Sequence, residues 1–242
     1  MASLKWLTKR PIAHRGLHDG NKKVWENTLA AYSAAIAGNF PIECDLHMTR
    51  DGVPVVFHDS PLERLTGEKG HVRERTAKEM TALSIGGTFE KVPTLDQMLA
   101  HVGGKVPLVI ELKGDAGHDG NMVKEVAKSL AKYRGKAAIM SFDHHLIRDF
   151  AKHAPGIAGG LTAEGIKDAD IEAHFSMLAH GISFVSYNVH HLPNRFISLV
   201  REKLKMPVIT WTVRSPEQLA HTYAQADQAT FEMFDPDGFA PM

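Results

Sequence analysis

The stretch 12–66 carries the motifs I-A-H-R-G (12–16), E-N-T (26–28), E-C-D (43–45), T-R-D-G (49–52) and V-F-H-D (56–59). Each polar member stands at or near the end of a short apolar run that reads as a strand. Residues 41–48 alternate with a period of two, so Glu43, Asp45 and His47 share one face and Ile42, Cys44 and Leu46 the other. Asp51-Gly52 is a hairpin-type turn signal ahead of the apolar run 53–57. A simple hairpin pairs Met48 with Val53 and sets Glu43 opposite His58; a short crossover between parallel strands fits the same residues.

Outward from this stretch, short β-rich runs alternate with amphipathic helical patterns almost to the C-terminus. Strands are expected at 11–14, 41–48, 53–57, 107–112, 136–142, 156–161, 182–188, 206–213 and 229–231. Helical spacing covers 28–37, 95–102, 121–133, 144–152, 168–179, 194–204 and 217–226, with a short helix near 77–83. Thr94 is a suitable N-cap and Gly103-Gly104 a suitable stop for the helix at 95–102. Such alternation predicts a mostly parallel sheet covered by helices. No G-x-G-x-x-G follows the first strand, which disfavours a doubly wound sheet. The expected fold is therefore a (β/α)8 TIM-type barrel, one domain over 1–242, with a loop excursion at about 59–95 on the side of the site.

Composition narrows the function classes. The 242 residues hold 28 Lys plus Arg against 28 Asp plus Glu, so no global field attracts nucleic acid or anionic lipid. A hydrophobic fraction of 43% with 23% charged residues is that of an ordinary soluble globule. No window approaches the roughly 18 apolar residues of a membrane span, and 1–10 do not read as a leader. The lone Cys44 rules out an intramolecular disulfide and points to a reducing, cytoplasmic setting. Nothing bears on oligomeric state.

Function in such a barrel gathers at the C-terminal strand ends. There stand His14, Arg15, Glu43, Asp45, His58, Asp59, Glu111, Lys113, Ser141, Asn188, Trp211 and Thr212. The hard oxygens of Glu43, Asp45 and Glu111 suit one divalent cation, Mg²⁺ or Ca²⁺, whereas zinc would prefer histidine or thiolate and Cys44 lies on the opposite face. Such an ion would polarise a phosphate ester, with His14 and His58 as acid and base in either order and Arg15 and Lys113 holding phosphate oxygens. His47 either touches the ion or lies past the strand end as a loop residue.

The ordered set H-R-G, E-N-T, E-x-D, T-x-D-G, V-x-x-H-D-x-x-L-x-R-x-T-G, P-T-L, E-L-K, S-F and W-T-V, spread over 12–213, resembles the glycerophosphodiester phosphodiesterase family. The resemblance implies a barrel, a divalent cation, and hydrolysis of a small glycerophosphodiester to glycerol 3-phosphate and an alcohol. By position, His14 and His58 resemble the catalytic pair, and Glu43, Asp45 and Glu111 the metal ligands. Arg15 and Lys113 resemble phosphate contacts and Trp211 a wall for the glycerol or leaving group, while Glu26 of E-N-T either binds on the substrate side or shapes the loop with Asn27. Two departures stand out: Trp25 replaces a common proline, and 227–232 read D-Q-A-T-F-E where the family has roughly D-G-I-I-T-D, so Glu232 stands in for an aspartate. The alternatives are a lysophospholipase D-like or cyclising activity on lysolipids with the same histidines, and a non-catalytic barrel that binds glycerophosphodiesters.

Overall fold

The computed structural model describes residues 4–115 and 117–239; the outermost residues of the domain expected over 1–242 lie outside them. Strands β1 (Ile12–Ala13), β2 (Ile42–Met48), β3 (Pro54–Val56), β4 (Leu108–Leu112), β5 (Ala137–Ser141), β6 (Ala158–Ala163), β7 (Phe184–Asn188), β8 (Val208–Val213) and β9 (Gln228–Phe231) form one sheet. Its order is β1-β9-β8-β7-β6-β5-β4-β2-β3, and an added β1–β2 pairing closes the eight parallel strands into a barrel. Helices α1 (Leu29–Ala37), α2 (Glu63–Thr66), α3 (Ala77–Ala82), α4 (Leu95–Val102), α5 (Met122–Leu130), α6 (His144–His153), α7 (Asp168–Met177), α8 (Arg195–Ser198) and α9 (Pro216–Gln225) complete the chain.

Local chemistry sets where the helices start. Thr28 caps α1 by accepting from the Ala31 amide, and Thr94 and Gln97 close a reciprocal capping box on α4. Ser215 caps α9, whose first residue is Pro216, where a missing N–H does no harm. One expected helix departs from regularity. After α8 the chain widens into a π-helical segment at Leu199–Lys203, and the Leu204 amide reaches back to the Leu199 carbonyl at 3.1 Å. Arg201 of this segment pairs with Asp227 ahead of β9 at 2.8 Å.

The period-two pattern decides what lies inside. Ile42, Cys44 and Leu46 pack outward among Tyr32, Leu95, Met98 and Leu99 of the helical layer. Leu7, Ile12, Val109, Ala138, Met140, Phe184 and Ile209 form a separate cluster within the barrel, and Leu4 and Trp6 pack against it. Gly160 makes room there, because a Cβ at that position would come within 2.4 Å of the Phe184 ring. The lower barrel is thus filled with hydrocarbon. Glu43, Asp45 and Glu111, on the same inward faces, stand above it.

The hairpin expected after β2 is present, with its register shifted by one residue. β3 runs antiparallel to β2 with Met48 opposite Pro54, not Val53, and the Phe57 amide donates to the Asp45 carbonyl at 3.0 Å. The turn holds three residues between Thr49 and Val53, and Gly52 takes the left-handed conformation (φ 77°) that closes it. Glu43 is therefore not the partner of His58. His47 is neither a loop residue nor a member of the acidic cluster: it lies within β2, 5% exposed, and its Nε2 donates to the His58 carbonyl at 2.9 Å. The excursion carries α2 and α3 and an apolar cluster of its own, in which Leu62, Leu65, Val72, Met80, Ile85 and Val92 pack on Val55 and Phe57.

Candidate active site

Three carboxylates form the centre. Asp45 and Glu111 face one another across the β2–β4 register, and Glu43 lies one pleat below Asp45. Oxygens of all three lie within 4.8 Å of one another, and the residues are only 1%, 1% and 6% exposed for Glu43, Asp45 and Glu111. Burial drives the Glu43 carboxyl well above its usual range, and Asp45 and Glu111 add to the effect. Burial likewise raises Glu111 to about 7. Asp45 behaves oppositely: burial opposes its charge, but Lys113 and Arg15 outweigh that and hold its carboxyl far below the ordinary range.

Lys113 is the first residue past β4, and its amide is fixed by the Leu46 carbonyl at 3.0 Å. Its Nζ lies 2.5 Å from Glu111 Oε1 and 3.0 Å from Asp45 Oδ1. Burial disfavours this ammonium, yet Asp45 and Glu111 overcome it and raise its pKa. One ammonium does not satisfy three acids. Glu43 Oε1 is buried with no hydrogen-bond partner among the described residues, so an all-oxygen cradle retains an unmatched donor atom. The group fits a hard divalent cation, and no sulfur or imidazole belongs to it.

Arg15 approaches from the β1 loop in a left-handed backbone conformation (φ 55°) that turns its amide onto Glu43 Oε2 at 3.0 Å. Its guanidinium reaches Glu26 Oε1 at 2.8 Å and Asp45 Oδ2 at 3.3 Å. Asn27 is fully buried, donates to Asp45 Oδ2 at 2.9 Å, and accepts from the Tyr32 hydroxyl at 2.9 Å. Glu26 is gripped by Arg15, by Asn21 Nδ2 at 2.7 Å and by both arms of Arg64 at 2.9 and 2.8 Å.

Each histidine is held through Nδ1. His14 follows β1, its amide bonded to Phe231 at the end of β9, so the next residue, Glu232, comes alongside. Glu232 Oε2 sits 2.5 Å from His14 Nδ1, while Arg214 Nε holds Oε1 at 2.7 Å. His14 Nε2 then faces inward, 3.9 Å from Glu43 Oε2. His58 repeats the pattern: Nδ1 is 2.6 Å from Asp59 Oδ1, and Arg64 Nε holds Asp59 Oδ2 at 2.6 Å. Burial lowers the pKa of both rings, opposed at His14 by the bond to Glu232 and at His58 by Asp45. The carboxylates of Glu232 and Asp59 accept from the two Nδ1–H groups and leave each Nε2 available to exchange a proton.

Trp211, on β8, stacks edge-on against Phe142 with ring centroids 5.2 Å apart, and Lys113 Nζ lies 5.9 Å from the same Phe142 ring. This makes an aromatic wall beside the cradle. Sequence reading brought His14, His58, Glu43, Asp45, Glu111, Arg15 and Lys113 to one place, and the structure keeps them there. It placed Asp59 at the strand ends without a role and did not assign Asn27, Arg64, Arg214 or Phe142 to the site. The quoted motif H-D-x-x-L-x-R does hold Asp59 and Arg64, so a signal was present. Arg214 carries none, because nothing local marks it as a neighbour of the first strand.

A family model described as the glycerophosphoryl diester phosphodiesterase family matches residues 14–239. A glycerophosphodiester phosphodiesterase of Caldanaerobacter subterraneus is 36% identical over 160 residues, covering 62% of this chain and 65% of that protein. Bacillus subtilis YhdW is 29% identical over 229 residues, 88% of this chain and 89% of that one. Among solved structures, an Oleispira antarctica phosphodiesterase in complex with its product sn-glycerol-3-phosphate superposes with a TM-score of 0.78 at 23% identity, covering 93% of this chain and 92% of that one. That likeness shows the barrel fold.

Proposed function

The chain belongs to the glycerophosphoryl diester phosphodiesterase family, and on that premise we propose that it is a single-domain phosphodiesterase that hydrolyses glycerophosphodiesters to glycerol 3-phosphate and an alcohol. One observation carries the reading. A buried three-carboxylate cradle with an orphaned oxygen lies beside two histidines, each pinned by a carboxylate so that Nε2 is free. Glu43, Asp45 and Glu111 would hold one Mg²⁺ or Ca²⁺. When bound, that ion supplies positive charge to a phosphate oxygen and makes the phosphorus more electrophilic.

The chain's own groups do the rest. Arg15 and Lys113 present donors toward the cradle and hold the remaining phosphate oxygens, with Glu26 fixing Arg15. Water attacks phosphorus as the bond to the alcohol oxygen breaks. Of His14 and His58, one enters neutral and takes a proton from the water through Nε2, and the other enters as the imidazolium and gives its Nε2 proton to the departing alcohol. Trp211 and Phe142 line the side on which an organic group rests, and Trp211 is the wall. No helix among the described residues is long and apolar enough to cross a membrane, and the buried free Cys44 supports cytoplasmic residence.

The test is release of glycerol 3-phosphate from glycerophosphocholine and glycerophosphoethanolamine with Mg²⁺, with Ca²⁺ and with chelator. Turnover should need the cation and vanish in His14→Ala and in His58→Ala. Full activity in either variant would sink the two-histidine mechanism, and a cyclic phosphate product would identify a substrate hydroxyl, not water, as the attacking group.

A further inference from the structure

A single guanidinium joins the two arms of the mouth. Arg64 rides on α2, whose Leu65 is buried in the excursion's apolar cluster on Val55 and Phe57, so its backbone is anchored by packing. One edge of the guanidinium grips Asp59, with Nε at 2.6 Å from Oδ2 and NH2 at 2.9 Å from Oδ1. The other edge grips Glu26, with NH1 at 2.9 Å from Oε2 and NH2 at 2.8 Å from Oε1. Beyond Asp59 stands His58 Nδ1 at 2.6 Å; beyond Glu26 stands Arg15 NH1 at 2.8 Å. A continuous chain of charge-assisted bonds therefore runs His58–Asp59–Arg64–Glu26–Arg15.

We propose that Arg64 is a positioning residue that fixes the pose of His58 through Asp59 and the pose of Arg15 through Glu26, so that one side chain aligns proton transfer with phosphate binding. The inference rests on the phosphodiesterase reading above. Its physics is geometric. A guanidinium offers donors on two edges in a fixed plane, and both carboxylates lie in that plane's reach. A lysine is a compact point charge without the planar fork, so it cannot keep the paired bonds to both carboxylates. Without the bidentate hold, Asp59 can swing on its own bonds and the His58 ring turns with it. Glu26, 4% exposed, then keeps only Arg15 and Asn21, and draws Arg15 toward itself and away from Asp45. A displacement of about 1 Å at a reacting group lowers turnover by as much as ~100-fold.

The experiment compares kcat and KM for glycerophosphocholine among wild type, Asp59→Asn, Glu26→Gln, Arg64→Lys and their combinations. Asp59→Asn is expected to lower kcat by about tenfold or more with little change in KM, and Glu26→Gln to raise KM by about tenfold with a smaller effect on kcat. Arg64→Lys should do both. Added to the Asp59→Asn/Glu26→Gln pair, it should change either constant less than about twofold, because its two routes are already cut. Arg64→Lys within about twofold of wild type, or a full additional loss on the double variant, overturns the proposal. Should Arg64→Lys not fold, equal losses of kcat and KM in both single variants overturn it as well. If wild type turns over no glycerophosphodiester, the functional reading fails separately, and ring-nitrogen NMR of His58 decides the inference alone. The proton is expected on Nδ1 in wild type and shared between tautomers in Arg64→Lys; an unchanged spectrum overturns the coupling.

Discussion

Glu26 offers the sharpest test of the charge network, through Glu26→Gln. Burial opposes the Glu26 carboxylate, but the bonds from Arg64, with Arg15 and Asn21 behind them, pull its pKa from 4.5 down to about 2. Only 4% of the residue is exposed, so solvent screening takes little from the interaction. At roughly 1.4 kcal/mol per pH unit, that lowering corresponds to about 3 kcal/mol of folding stability at pH 7. Because the folded-state pKa is depressed, the contribution is complete above the unfolded value of 4.5 and is lost as pH falls toward 2. About 1 kcal/mol of it should already be gone at pH 3.5. Urea unfolding followed by tryptophan fluorescence at several pH values between 7 and 3.5 measures this. The gap between wild type and Glu26→Gln should be widest at neutral pH and narrow with acid. A gap that is constant across that range would refute the reasoning, because the ionised carboxylate would then not be what holds the two arginines.

The remaining predictions concern the cation and the packing. Mg²⁺ or Ca²⁺ at about 100 times its Kd should stabilise the fold by about 2.7 kcal/mol, seen as a rise in Tm, and Glu111→Gln should weaken cation binding at least about tenfold by calorimetry. Gly160→Val should cost about 1–3 kcal/mol by pressing on the Phe184 ring, lowering Tm by several degrees in a thermal melt. Thr94→Ala removes the capping box of α4, and chemical denaturation should show a loss of about 1 kcal/mol with the denaturant dependence unchanged.

Much of the fold was legible because its signals are local. Period-two alternation in β2 assigned Glu43 and Asp45 to one face and Cys44 to the other, and the filled barrel and helical layer follow from that sorting. The expected helix 95–102 matches α4 to the residue, since Thr94 and Gly103 both act through neighbouring backbone. The hairpin register shifted by one because a turn's length depends on whether Thr49 or Arg50 begins it, and the Thr49 hydroxyl decides by bonding Asp51 and Val53. His47 was misplaced because its partner is non-local: the backbone carbonyl of His58, just past β3, receives the ring and keeps it inside the sheet, away from the acidic cluster.

From the sequence alone came the closed α/β architecture and the oxygen-rich cluster on three inward positions, because alternation and burial are encoded residue by residue. Tertiary structure alone decided how His14 is held and how the Asp59 that holds His58 is joined to Glu26. Glu232 and His14 are 218 residues apart and meet only because barrel closure places β9 beside β1. Arg64 reaches Glu26 across 38 residues because the excursion folds back over the mouth on its own apolar base. Such contacts join distant segments through a closure whose geometry no local pattern specifies, so the ring orientations belong to the fold.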